Sequence, residues 1–132
     1  MGKPYKYTLE QDYTRPTGIR GRWFESDWLS VSYTGVIRVK KGYSWDGCSP
    51  KIKILGRIIG TPDGKKDEKT GKASTYYASC VHDALYQYKG QHGITRKESD
   101  KLFLKMLKES GFKLPKLYYF GVRVGGWVYG GW

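Results

Sequence analysis

The stretch that most constrains the fold is Thr95-Arg96-Lys97-Glu98-Ser99-Asp100-Lys101-Leu102-Phe103. Thr95 with Glu98 three positions later is a capping box, in which each side chain satisfies a backbone N–H that the first helical turn leaves unpaired. Leu102, Phe103, Met106 and Leu107 give this helix an apolar face, and Gly111 is well placed to stop it. Asp100 is the odd member. It precedes Phe103, Leu104 and Leu107 by three, four and seven residues, so it points at least partly inward. Desolvating an unpaired carboxylate is strongly unfavourable, so the fold must bring it a partner.

The preceding segment supplies one. Ser74 to Tyr88 reads as a helix whose apolar face is Ala78, Val81 and Leu85, with His82 beside that stripe. Tyr86 shares the face of His82, because residues four apart stack on a helix, while Asp83 is rotated by about 100°. Lys89-Gly90-Gln91-His92-Gly93 breaks the helix, and His92 is expected to be an exposed loop residue. So short a connection makes the two helices antiparallel neighbours, and His82 can meet Asp100. Tyr86 can donate to the same carboxylate. An Asp–His pair fixes the imidazole tautomer and leaves the other ring nitrogen as a base near neutral pH. Asp46 and Asp83, with backbone carbonyls around Gly47, can hold a hard cation such as calcium. A cation beside a histidine-activated water is a workable ester-hydrolysis site. The competing reading is a buried His-Asp-Tyr cluster that only fixes helix packing.

Around these helices the chain reads as one α+β domain over residues 1–132: a small N-terminal antiparallel sheet, then a three-helix bundle. Residues 1–45 are mainly β. Trp28 to Tyr33 and Val36 to Val39 flank Thr34-Gly35 as a tight hairpin. Tyr43 to Pro50 is a loop by composition, 60–72 an exposed basic loop, and 74–130 helical. The third helix begins near Pro115, with Leu117, Phe120, Val124, Trp127 and Val128 as its stripe. Trp127, Tyr129 and Trp132 suit an interfacial aromatic patch.

The net charge of +12 favours an anionic partner: a phospholipid or bacterial envelope surface, or nucleic acid, for which charge is the only support. Cys48 and Cys80 can form one disulfide or remain two thiols, and zinc would need further ligands. Met1 to Lys6 has no apolar run, so no signal peptide is expected, and no stretch is apolar enough to span a membrane.

Four motifs in order carry a family resemblance. They are Gly42-Tyr43-Ser44-Trp45-Asp46-Gly47-Cys48-Ser49-Pro50, His82-Asp83-Ala84-Leu85-Tyr86, Arg96 to Phe103 with Asp100, and Tyr119-Phe120-Gly121-Val122-Arg123-Val124-Gly125-Gly126. Together they resemble a family of small, mostly phage- and prophage-encoded domains of unknown function, which implies a bacterial host cytoplasm or a virion and other phage proteins as partners. More distantly, the same order is similar to the small phospholipase A2 enzymes of bacteria and fungi. That resemblance implies His82 as general base, Asp100 as the residue that orients it, Tyr86 as a donor to Asp100, and Asp46, Gly47 and Asp83 at calcium. Cys80 departs from the phospholipase pattern, standing two residues before His82 where those enzymes have cysteine three before. The shift turns it by about 100° from the disulfide position.

Overall fold

The computed structural model of the chain describes residues 7–45 and 75–129, with side chains of the last helix described to Arg123. The expectations placed on Asp46, Gly47, Cys48, the 60–72 loop and Trp132, and on the side chains of Val124, Trp127, Val128 and Tyr129, lie outside that range.

Among the described residues, six short strands precede three helices: β1 (Tyr7–Thr8), β2 (Tyr13–Pro16), β3 (Phe24–Glu25), β4 (Leu29–Val31), β5 (Val36–Val39), β6 (Ser44–Trp45), then α1 (Tyr76–Gln87), α2 (Arg96–Glu109) and α3 (Pro115–Tyr129). This is the α+β arrangement expected. β2, β5, β4 and β3 form an antiparallel sheet in that order, and β1 pairs with β6 in a second, two-stranded one. Alternation decides which face is buried. Leu29 lies opposite Val39 and Val31 opposite Ile37, all four inside, while Arg38 between them is exposed. The β4–β5 turn closes with Gly35 N–H on the Ser32 carbonyl and Gly35 at φ +89°, a left-handed conformation that glycine adopts without strain.

The inner sheet face meets α1, which packs on α2, which packs on α3. Ala78, Val81, Ala84 and Leu85 of α1 and Leu102, Phe103, Met106 and Leu107 of α2 are buried, as their periodicity requires. α2 begins with the capping box in full: Thr95 Oγ1 accepts from Glu98 N–H, and Glu98 accepts from Thr95 N–H. It ends in a Schellman motif around Gly111, with Phe112 N–H on the Leu107 carbonyl and Gly111 N–H on that of Lys108.

α3 faces inward through Tyr118, Gly121 and Val122 rather than through Leu117 and Phe120. Phe120 is 64% exposed, whereas Tyr118 is fully buried with its ring edge-on to Phe112. The expected stripe was out of register because tyrosine's polar tip hides a large apolar body.

The aromatic content joins the sheets to α1. Trp45 is buried between Tyr7 and Tyr76, with ring centroids 5.4 and 4.9 Å away, and its indole N–H donates to Ser79 Oγ at 3.0 Å. Salt bridges from Arg15 to Glu109 and from Arg22 to Glu98 tie the sheet side to α2. Arg22 crosses so close to Gly93 (φ +79°) that a Cβ there would stand 3.0 Å from Arg22 Cγ.

His92 corrects the sequence reading: it is 1% exposed, not an exposed loop residue. Its Nε2–H donates to the Leu85 carbonyl at 2.7 Å, and its Nδ1 accepts from Ile94 N–H at 3.0 Å. The carbonyls of the last turn of α1 need partners from outside the helix, and His92 serves Leu85 while holding the chain just before the α2 cap. Two flanking glycines made it look like a surface turn; backbone hydrogen bonding requires it inside.

Thr95→Ala lowers stability to denaturant by about 1 kcal/mol through loss of the cap. His92→Ala leaves two backbone groups unsatisfied and costs about 2–4 kcal/mol. Burial holds the His92 pKa below its ordinary 6.5, outweighing the opposing effect of the Leu85 bond. As pH falls below that ordinary value, the unfolded chain therefore takes up the proton first, and the stability His92 contributes at higher pH is lost towards its folded pKa. Melting temperature should accordingly fall less steeply from about pH 7 to about pH 5 in His92→Ala than in the native chain; equal slopes would refute the assignment.

Candidate functional site

The expected meeting of His82 and Asp100 occurs. α1 presents His82 towards α2, and His82 Nε2 lies 2.7 Å from Asp100 Oδ1. Asp100 is 1% exposed and the His82 side chain 21%. An ionised carboxylate only accepts, so Nε2 carries the donated proton and a neutral ring keeps its lone pair on Nδ1. Nδ1 has no hydrogen-bond partner among the described residues. Phe103, one turn beyond Asp100, packs its ring 5.0 Å from the imidazole and limits its rotation.

The second oxygen of Asp100 accepts from Arg123 Nη1 on α3 at 3.1 Å. Arg123 offsets the buried negative charge and brings the third helix to the cluster. Arg123 belongs to the fourth motif, and its spacing there assigns it no partner. The available signal was electrostatic: a buried carboxylate with only a neutral imidazole beside it still lacks a countercharge.

Asp83 follows His82 by one residue and so leaves the helix in another direction, towards the sheets. There its Oδ2 accepts a short hydrogen bond from the Tyr43 hydroxyl. Tyr43 is 2% exposed and stacks on Trp45. Burial, then the neighbouring Asp83 charge, pushes the Tyr43 phenol well above its ordinary range, so it stays a neutral donor. This tyrosine was also a motif position without an assigned role. Tyr86 is half-buried one turn after His82, with the Lys89 ammonium 4.4 Å from its ring centroid.

Cys80 is a free, fully buried thiol. Burial and then Asp83 push its pKa well up, so it packs as a small apolar group and not as a nucleophile.

Calcium requires several oxygen ligands. Asp83 supplies hard oxygen chemistry, but Asp46 and Gly47 lie outside the described residues. Among the described residues no group of three or more His, Cys, Asp or Glu is able to hold an ion, and no helix is long and apolar enough to cross a membrane. The arrangement that stands on its own is thus an oriented imidazole with one open nitrogen, a buried carboxylate behind it and an arginine that offsets the charge.

Comparison with known proteins gives no match among curated proteins or solved structures. A family match does cover residues 24–122, from β3 to within α3, and includes Tyr43, His82, Asp83 and Asp100. The chain belongs to the family described as Protein of unknown function (DUF1353).

Proposed function

We propose that this chain is a phage-related, His/Asp-dependent hydrolase that acts, with calcium, on phospholipid or another envelope ester. The observation that carries the reading is the His82–Asp100 pair, 2.7 Å apart, with the imidazole partly open to solvent. A water at Nδ1 gives its proton to the imidazole as its oxygen adds to the ester carbonyl. The tetrahedral adduct then expels the alkoxide, which takes that proton back. Asp100 stabilises the imidazolium without becoming protonated, and Arg123 holds Asp100 in place. Tyr86 is proposed as a further donor to Asp100. Asp46 and Asp83, with a carbonyl near Gly47, are the proposed calcium ligands, and a calcium ion there would stabilise negative charge on the carbonyl oxygen. The motif order and its similarity to the small phospholipases A2 support the same assignment. The proposed setting is a bacterial host cytoplasm or a virion, with an anionic surface and other phage proteins as partners.

One observation favours a second reading, a non-enzymatic virion or host-interaction protein. Asp100 is buried where α1, α2 and α3 converge and is bonded from both sides, so the cluster also serves as a packing device.

The two readings separate in one assay: fatty acid release from mixed anionic vesicles during calcium titration. In His82→Ala the rate is expected to fall about 100-fold or more, the range for loss of a general base. Release unchanged by the substitution ends the hydrolase reading. Asp100→Ala strips His82 and Arg123 of their acceptor and is expected to lower stability by about 1–3 kcal/mol in denaturant unfolding under either reading.

A further inference from the structure

The outward side of α2 carries Lys97, Lys101, Lys105 and Lys108, all exposed. At spacings of four, four and three residues they form one row about 16 Å long on the helix surface. None of the four takes part in an ion pair or hydrogen bond among the described residues. The three acids of the same helix are all engaged elsewhere: Glu98 in the capping box and with Arg22, Asp100 with His82 and Arg123, and Glu109 with Arg15. The row is therefore uncompensated.

The folding of α2 does not ask for such a row. Like charges four apart destabilise a helix, and a lysine in the first turn opposes the macrodipole. Only Lys108, in the last turn, is favoured by its position. Interleaved glutamates would relieve the repulsion, and the sequence has none at these positions.

We propose that this face of α2 docks the protein on an anionic phospholipid bilayer. A single convex row of lysines, without arginine forks or an interleaved aromatic, reads charge and not the shape of its partner. Headgroups that diffuse laterally can gather beneath such a row. Asp100, which holds His82, lies about 100° around the same helix from Lys101. The choice of lipid as occupant rests on the hydrolase reading above; the basic row itself does not.

Vesicle co-sedimentation of the full chain tests the proposal, using phosphatidylcholine with and without phosphatidylglycerol, in EDTA and at two salt concentrations. Binding is expected only with the anionic lipid and weakens with salt. Lys101→Gln/Lys105→Gln/Lys108→Gln should reduce partitioning at least about tenfold, since each lysine near a charged surface contributes about fivefold. Arg20→Gln/Lys41→Gln/Lys116→Gln removes the same charge from other exposed positions and should have a clearly smaller effect. Circular dichroism confirms that both variants fold. His82→Ala should bind like the native chain, so that failed hydrolysis and failed docking are read separately. Equal losses in the two triple variants, absent binding, or binding to duplex DNA in preference to vesicles would overturn the proposal.

Discussion

The buried carboxylate of Asp100 is the constraint on which the helical half depends. At 1% exposure it has no access to bulk water, so the charge must be met from within. His82 meets one oxygen and Arg123 the other, from the helices on either side. The helix packing is thereby fixed more narrowly than apolar contact alone would fix it, since sliding α1 or α3 by one turn would strand the charge. The same requirement orients an imidazole and leaves one of its nitrogens open, so packing demand and chemical potential share one set of atoms.

The sheet half is joined to the helices by different means. Trp45 and Tyr43 enter from the end of the sheet region, one bonding Ser79 and the other Asp83, both on α1. His92 closes the corner between α1 and α2 by serving backbone groups of both approaches. Glu98 combines a helix cap with a salt bridge to Arg22 near the sheet. These polar contacts are placed where the short strands bury little area, and each couples a local backbone need to a distant element.

The sequence was most legible where a local rule had a single solution. The α2 cap, its Gly111 stop, the inward Asp100 and the β4–β5 hairpin all follow from residues within one or two turns of each other. The His82–Asp100 contact was legible too, because a short connection between helices leaves few ways for a buried acid to find a donor. His92 and Tyr118 misled because their neighbours, glycines in one case and a conventional apolar stripe in the other, suggested exposure. Both are amphipathic side chains whose burial depends on a partner outside their own segment.

By itself the sequence determined the periodicities, the caps, the turn glycines and the net charge of +12, since each is a property of neighbouring residues or of their sum. Only the tertiary structure decided that Arg123 meets Asp100, that Tyr43 meets Asp83, and that the acids of α2 are consumed while its lysines are left outward. The physical reason is separation along the chain. Arg123 and Asp100 are 23 residues apart and Tyr43 and Asp83 are 40. No local periodicity reports which charge a distant segment will place beside another; that is settled when the apolar faces pack and exclude water.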